Sequence, residues 1–228
     1  MKLDKIISRI ESVLDPKSYD DVSNNGIQIA RSGDEVKTVA FAVDASVASV
    51  KAAAAAGAQL LVVHHGISWG GGIKRIDGGV YNVVKAAVDA NIALYAVHLP
   101  LDADRKVGNN HELARSFSLK RVKPAFSYHG NVIGVVGYAP DGRKVGICSG
   151  GAGCFAEEAK RLGCDVYLTG EADWGEKIAA DNVGMEMTCA GHYETETYGV
   201  RALMRHLAEK LKVKTVFVGP ETGKVKLP

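Results

Sequence analysis

Residues 38–65 read TVAFAVDASVASVKAAAAAGAQLLVVHH, and this stretch decides the fold. It opens with residues 38–43, a short apolar run of the kind that forms a buried strand. Residues 46–56 are rich in alanine and predict a helix, for which Gly57 is a natural stop. A second apolar run follows over residues 60–63. Two buried strands joined by a helix indicate a parallel pair with the helix packed on its face.

The same alternation continues on both sides of this stretch. Upstream, residues 2–14 carry apolar side chains at helical spacing and predict an amphipathic helix. Downstream, helices are predicted over residues 79–90, 154–162, 173–180 and 194–211, and strands over residues 93–97, 131–138, 144–148, 166–168, 185–188 and 214–218. The pattern predicts an α/β fold with a two-lobed, three-layer, sandwich-like architecture, in which helices cover mixed or mostly parallel sheets.

A polar stretch between Pro124 and Gly130 predicts how the chain is divided. We expect a first α/β lobe over residues 1–125 and a second over residues 126–228. Because strands and helices alternate in both halves, we expect two lobes of one integrated domain rather than two independent domains.

Composition and charge argue against several classes of protein. The formal net charge of +2 gives no reason to expect binding to nucleic acid or to an anionic membrane. The N-terminus lacks an uninterrupted apolar core, and no stretch approaches the roughly 20 apolar residues that span a bilayer. The four cysteines show no Cys-x-x-Cys spacing, which predicts reduced, mostly buried thiols. We therefore expect a cytoplasmic protein.

Polar side chains follow three of the predicted strands at the points where they end. The first strand ends at His64 and His65, and the other two are followed by His98 and His192. A carboxylate lies four residues after each of the last two, at Asp102 and Glu196. Open α/β sheets bind ligands beyond the carboxyl ends of their strands. Imidazole nitrogens and carboxylate oxygens suit zinc, manganese, iron or nickel. From spacing alone, a metal site and a set of polar strand-end residues both remain open.

The adjacency of His64 and His65 bears on the number of ions. Neighbouring side chains of a regular strand face opposite ways, so both rings cannot easily address one ion. Where the backbone turns at a strand end, they can address two ions roughly 3.5–4 Å apart. Asp102 and Glu196 would then supply shared oxygens. His192 and Glu196 lie on one face of the last helix if that helix includes His192.

Four ordered motifs carry a resemblance to a known family. They are Leu60-Leu-Val-Val-His-His-Gly-Ile-Ser-Trp69, His98-Leu-Pro-Leu-Asp102, Leu168-Thr-Gly-Glu171 and Gly191-His-Tyr-Glu-Thr-Glu196. Further matches, in order along nearly the whole chain, are Asn25-Gly-Ile-Gln28, Asp44 and Ser149-Gly-Gly. The sequence resembles the Ngg1-interacting-factor-3-like family. It departs from many relatives at Gly66, where proline is common, and it lacks the large insert between the lobes that some members carry.

The resemblance implies a dinuclear metal site between the lobes. Carried over position by position, its ligands are His64, His65, Asp102, His192 and Glu196. The resemblance therefore implies two divalent metal ions per chain, which would be zinc, iron, manganese or nickel. Members of the family are named GTP cyclohydrolase 1 type 2 homologues, and known members often form toroidal hexamers. A homo-oligomer and a nucleotide-like substrate are therefore expected, with no membrane and no nucleic acid as partner.

The leading functional hypothesis is a dinuclear-metal-dependent hydrolase that acts on a nucleotide or related heterocycle. In this hypothesis His98 or Glu171 moves protons, while a packed structural role for His98 remains open. The alternative is a non-enzymatic metal-binding scaffold, metal chaperone or regulatory interaction protein. A hydrolase needs an open, water-bearing position on at least one ion, whereas a structural site is closed.

Three further features keep two interpretations each. The glycine-rich residues 149–153, expected to form a loop, fit either a phosphate-binding turn or a tight packing turn. Trp69, followed by three glycines, fits either a base-stacking lid or an interface contact in an oligomer. Glu194 fits either a group close to the metal ligands or an exposed carboxylate.

Overall fold

The computed structural model describes residues Met1–Leu227, which form two compact units. The first unit contains Met1–Leu101 and Val200–Glu221. The second contains Asp102–Gly199 and residues 222–227. Each unit is built on its own five-stranded sheet. The predicted α/β class, with mixed and mostly parallel sheets covered by helices, is confirmed.

The sheet of the first unit is parallel except for one edge strand. Its strands are β1 (Gly26–Ile29), β2 (Thr38–Asp44), β3 (Leu60–His65), β4 (Ala93–Ala96) and β10 (Lys214–Phe217). They lie in the order β1-β4-β3-β2-β10, and only β1 runs antiparallel to its neighbour. Its longer helices are α1 (Leu3–Leu14), α2 (Val47–Ala55) and α3 (Gly78–Asp89). The carboxyl ends of β2, β3 and β4 therefore meet at one edge of this sheet.

The opening stretch of sequence folds as predicted, and the reason lies in side-chain size and capping. The β2 residues from Thr38 to Val43 are all buried, so the strand contributes side chains to both faces of the sheet. Helix α2 presents Val50 and Ala53 to this core, and small side chains let a helix lie close to a sheet. Ser46 begins the helix with a reciprocal capping box to Ser49, which stabilises such a terminus by about 1 kcal/mol.

The second unit has a mixed sheet. Its strands are β5 (Lys120–Tyr128), β6 (Asn131–Tyr138), β7 (Lys144–Gly151), β8 (Val166–Glu171) and β9 (Glu186–Cys189), in that spatial order. The pairs β5–β6 and β6–β7 are antiparallel, and β7–β8 and β8–β9 are parallel. Its helices include α5 (Asn109–Ser116), α6 (Ala156–Arg161) and α7 (Trp174–Asn182). Helix α8 spans His192–Lys210, and a short helix α4 spans Leu99–Ala103.

Several local predictions differ from the structure. The predicted lobe boundary after residue 125 falls inside β5, because the polar stretch pairs with β6 instead of linking domains. The lobe assignment itself stays a prediction. The sequence predicts residues 149–151 in a loop, but they extend β7 to Gly151. Strands β1 and β5 and helices α4 and α5 have no counterpart in the predicted pattern.

Two findings concern the helices and the cysteines. Every helix within the described chain is too short or too polar to cross a membrane. All four cysteines are free thiols. Cys148 and Cys164 are buried as expected, but Cys154 and Cys189 are exposed, because Cys154 lies in the turn before α6 and Cys189 is the last residue of the edge strand β9.

Candidate metal centre

The histidine pair ends β3, and each ring is held by a different acceptor. His64 is fully buried, and its Nδ1 lies 3.1 Å from the carbonyl oxygen of Val97. The Nδ1 of His65 lies 2.8 Å from Oδ1 of Asp44. Asp44 is the last residue of β2 and pairs in register with His65, so the parallel sheet itself brings this carboxylate to the ring. Both rings are thereby fixed through Nδ1.

His98 follows β4 and is held by a buried carboxylate from the loop before β1. The Oδ1 of Asp21 lies 2.8 Å from Nδ1 of His98, and the Asp21 side chain is only 2% exposed. Asp21 also accepts hydrogen bonds from the backbone N–H of Ser23 and Leu99 and from the Asn25 side chain, each at 2.9 Å. Asn25 in turn accepts the backbone N–H of His98 at 2.9 Å. The ring orientation is therefore determined by several bonds rather than by one.

The three imidazoles of the first unit converge. His64, His65 and His98 each place a potential ligand nitrogen within 4.8 Å of those of the other two, and the ring centroids lie 4.6–5.7 Å apart. Since Nδ1 of each ring faces an acceptor, the tautomer with a proton on Nδ1 leaves the lone pair on Nε2. Metal-binding histidines typically donate their other N–H in this way. This cluster can hold a divalent metal ion.

The loop after the histidine pair is held close to the sheet by Gln28. Its Oε1 accepts the backbone N–H of Ile67 at 2.6 Å and that of Ser68 at 3.1 Å. Gly66 is required at this approach, because a Cβ there would lie 2.2 Å from Oε1 of Gln28. Trp69 lies with its ring 5.1 Å from that of His98 and 6.0 Å from that of His65, and it remains 37% exposed. The indole therefore covers one side of the imidazole cluster.

In the second unit, Asp102 is a buried carboxylate held by two side chains. Its Oδ1 accepts hydrogen bonds from Nδ2 of Asn109 at 2.9 Å and from Oγ of Ser149 at 3.1 Å. Asn109 is itself fixed, because its Oδ1 accepts the backbone N–H of Gly199 at 2.6 Å. A buried carboxylate held in place by polar side chains is a suitable ligand for a cation.

Helix α8 begins at His192, so His192 and Glu196 lie one turn apart on one face of the helix. The sequence predicted this arrangement on the condition that the helix includes His192. Nε2 of His192 is 3.1 Å from Oε1 of Glu196, and Nδ1 is 3.0 Å from Oε1 of Glu171. Glu196 is 3% exposed. A neutral imidazole carries a hydrogen on only one of its two nitrogens, so it can donate to only one of these two carboxylates. The other contact requires either a protonated ring or a cation shared by Nε2 and the Glu196 oxygen. The donor set therefore fits a metal ion.

The glycine-rich segment serves packing around these residues. The backbone N–H groups of Ser149, Gly150 and Ala152 donate to side-chain oxygens of Asn110, Thr195 and Thr169 respectively. Those donors are occupied within the protein, which supports the packing interpretation over the phosphate-binding one. Glu194 is half-buried, and its carboxylate folds back against Gly191, where a Cβ would lie 1.9 Å from Oε2. Glu194 is therefore not the fully exposed carboxylate of the second interpretation.

Three residues that hold side chains of the candidate site in place are not identified as site residues by the sequence. They are Asp21, Asp44 and Asn109, which hold His98, His65 and Asp102 respectively. Asp44 is one of the residues that carry the family resemblance, but the sequence assigns it no role. Its position at the end of a strand parallel to the histidine strand is the available signal, whereas Asp21 and Asn109 lie in segments for which the sequence predicts no structure.

The charge state of Asp21 is set by its surroundings. Burial by itself would raise the pKa of the carboxyl group. The hydrogen bond and charge of His98, with the bonds from Ser23 and Asn25, outweigh burial and lower the pKa from 3.8 to about 2. A carboxylate with a depressed pKa contributes stability above its ordinary pKa and loses that contribution as the pH falls.

We expect this loss to be measurable in acid. Between about pH 4 and pH 2 the wild-type protein should lose about 2 kcal/mol of unfolding free energy through Asp21 alone, because each pKa unit is worth about 1.4 kcal/mol. The Asp21→Asn variant cannot lose this contribution. Urea unfolding at pH 5 and at pH 2.5 measures the difference, and equal losses in the two proteins would contradict the assignment.

Two α/β units whose strand ends carry imidazoles and buried carboxylates define an α/β protein with a candidate metal site. The chain belongs to the Duf34/NIF3 (NGG1p interacting factor 3) family, whose model matches residues 1–142 and 132–222. The family identified from the four motifs is thereby confirmed.

Relatives align with the chain over nearly its whole length. It is 38% identical to a protein from Pyrococcus horikoshii and 41% identical to one from Archaeoglobus fulgidus, both named GTP cyclohydrolase 1 type 2 homolog. Each alignment covers 98% of this chain and 100% of the relative. Among solved structures, TTHA1606 from Thermus thermophilus is 29% identical with a TM-score of 0.85, covering 98% of this chain and 100% of that chain. Reduced HcgD from Methanocaldococcus jannaschii is 25% identical, also with a TM-score of 0.85, covering 96% and 98% respectively.

Proposed function

We propose that this protein is a dinuclear-metal-dependent hydrolase. The observation that carries the proposal is the convergence of His64, His65 and His98, whose potential ligand nitrogens lie within 4.8 Å of one another and whose Nδ1 atoms each face an oxygen acceptor. Polar residues that merely end strands have no reason to converge in this way. Three imidazoles that are each held at Nδ1 by an acceptor can direct Nε2 at an ion, which is a common arrangement of metal-binding histidines.

The proposed ligands of two divalent ions are those that the resemblance implied: His64, His65, Asp102, His192 and Glu196. Imidazole and carboxylate donors suit zinc, iron, manganese or nickel, and the absence of thiolates from the set does not select further among them. The burial of Asp102 and Glu196 supports the proposal, because buried carboxylates are stabilised by a bound cation. Bound divalent ions activate water and polarise the electrophile in such sites.

His98 lies in this cluster without being one of the proposed ligands, and we propose that it accepts a proton during the reaction. Asp21 holds its Nδ1–H, so Nε2 is the basic nitrogen. The buried carboxylate also stabilises the imidazolium that forms when Nε2 takes up the proton. Asp21 is in this sense a positioning residue, and His98 is the group that touches the reacting atoms.

Glu171 is the second proposed proton-transferring group. Its side chain is 64% exposed, and its Oε1 contacts Nδ1 of His192 at 3.0 Å. An exposed carboxylate exchanges protons readily with solvent. The same contact holds the His192 ring through Nδ1, and Nε2 faces Oε1 of Glu196 at 3.1 Å, where the two atoms would share a cation.

A nucleotide or related heterocycle is the proposed substrate class. The support is the name of the relatives, GTP cyclohydrolase 1 type 2 homolog, together with the placement of Trp69. The indole lies beside His65 and His98 and exposes about a third of its surface, as a side chain that stacks on a flat ring would. We further propose that the protein is cytoplasmic and forms a homo-oligomer. Light scattering measures the mass of the assembly, and we expect the mass of a hexamer.

Metal content tests the proposal first. We expect elemental analysis to find two divalent ions per wild-type chain. Glu196→Ala should lower metal affinity at least about 100-fold, because a buried ligand oxygen is lost. Glu194→Ala is the matched control, since it removes a carboxylate from the same motif and is expected to leave the metal content unchanged. A wild-type chain that binds fewer than two ions would remove the dinuclear proposal.

Turnover then separates the hydrolase from the alternative. Nucleotides and phosphoesters are tested with the metal-loaded wild type and with Glu196→Ala. Turnover by the wild type that disappears in the variant supports the hydrolase. Two tightly held ions without turnover across the panel would favour a metal-binding scaffold, metal chaperone or regulatory protein instead.

A further inference from the structure

A second concave site lies in the second unit, on the sheet face formed by β5, β6 and β7. It is a cavity of about 210 Å³, lined by Arg121, Lys123, Val136, Gly137, Tyr138 and Lys144. Lys123 pairs in register with Val136, and Lys144 pairs with Tyr138, so these four side chains project from one face of the sheet. Three of the six lining residues are cationic and none is acidic.

The backbone around Arg121 is bent in a way that ordinary strand pairing does not need. The register of β5 against β6 shifts between Lys120 and Lys123, which marks a bulge. Arg121 lies within it at φ 52°, a left-handed conformation that is unfavourable for a side chain other than glycine. Bulges re-aim side chains and are common beside functional sites. The bulge turns the guanidinium toward the cavity at a cost in backbone energy.

Two of the three cations of the cavity make no ion pair with an acid. Within residues 1–227, Arg121 and Lys123 make no ion pair and no side-chain hydrogen bond. Lys144 donates from Nζ to the carbonyl oxygen of Leu162, and its backbone N–H donates to Oδ2 of Asp165 at 2.7 Å. Three positive charges converging on one small cavity leave a local excess of charge that an anion would neutralise.

We propose that this cavity binds the phosphate groups of a small phosphorylated molecule. The guanidinium of Arg121 offers the paired N–H donors that match phosphate oxygens, and the two lysines supply point charges. The volume suits one or two phosphate groups rather than a whole drug-sized ligand, for which pockets of about 300–1,000 Å³ are usual. The hydroxyl and ring of Tyr138 border the rest of such a molecule.

This site is separate from the proposed metal ligands of the same unit. Lys144 is the first residue of β7, whereas Ser149, which contacts Asp102, lies five residues further along that strand. At about 3.3 Å per residue, the two ends lie roughly 17 Å apart. Phosphate binding here can therefore be tested separately from the metal-dependent activity proposed above.

Inorganic diphosphate is the probe for the test. It is titrated by calorimetry into the purified wild type and into Arg121→Gly, and backbone amide shifts locate the binding. Glycine accepts φ 52° without strain, so this variant should fold at least as well as the wild type. We expect it to bind diphosphate about tenfold or more weakly. Amide shifts should fall at residues 120–123, 136–138 and 144.

The control is Arg75→Gly, which removes one exposed arginine from the first unit and should leave diphosphate binding unchanged. Lysines and bulges on an edge strand such as β5 can also serve to prevent strands of different molecules from pairing. If Arg121→Gly self-associates but binds diphosphate as the wild type does, that protective role is correct and the proposal is wrong. Amide shifts confined to the proposed metal ligands would also overturn it.

Discussion

Gly150→Ala is expected to destabilise the protein by about 2–5 kcal/mol and to weaken metal binding. Gly150 has φ 70°, where a side chain costs about 1–2 kcal/mol. Its missing Cβ also makes room for the ligands. An ideal Cβ would lie 2.4 Å from Oε1 of Glu196 and 3.3 Å from Nε2 of His192, so the carboxylate would have to move. Overpacking of this kind adds about 1–3 kcal/mol.

A matched glycine separates the two contributions. Gly163 has φ 73°, nearly the same conformation, but a Cβ there would meet nothing within 4 Å. Gly163→Ala should therefore cost only the backbone part, about 1–2 kcal/mol, and leave metal content unchanged. Urea unfolding and elemental analysis of both variants provide the comparison. Equal destabilisation by the two substitutions, with metal retained in both, would show that Gly150 does not position Glu196.

Much of the fold could be predicted because its strands and helices are locally consistent. The run at residues 38–65 combines buried β-branched side chains, an alanine-rich helix and a terminating glycine, so propensity and burial point to the same structure. Strand β5 could not be predicted in this way. It carries exposed cations, a proline and a bulge, and it is held by its pairing with β6 rather than by its own pattern.

The candidate site likewise contains residues that the sequence could identify and residues that it could not. His64 and His65 could be identified because α/β sheets bind ligands at the carboxyl ends of their strands. The end of the apolar run over residues 60–63 shows where this strand ends. The groups that orient the ligands were not identifiable. Asp21 reaches His98 from 77 residues away, and Asn109 reaches Gly199 from 90 residues away. Contacts at such separations arise from tertiary packing, and no local periodicity signals them.

Asp21→Asn is expected to lower turnover by about 100- to 10,000-fold while retaining the metal ions. Asparagine keeps the shape of the side chain and can still accept the N–H of Ser23 or Leu99. Its amide N–H₂, however, can donate to Nδ1 of His98, which would move the ring proton to Nε2. The nitrogen that we propose to accept a proton would then already carry one. Losses of this size follow when a catalytic histidine is held in the wrong tautomer.

Nitrogen NMR of the histidine side chains tests this tautomer change directly. The wild type should show the Nδ1–H tautomer at His98, and Asp21→Asn should show Nε2–H. Asp20→Asn is the matched control, because it neutralises the adjacent exposed aspartate and should change neither the tautomer nor turnover. In a His98→Ala background, Asp21→Asn should cause no further loss of turnover, since the two residues act as one unit. A full additional loss in that background would mean that Asp21 acts on the site by a route other than His98.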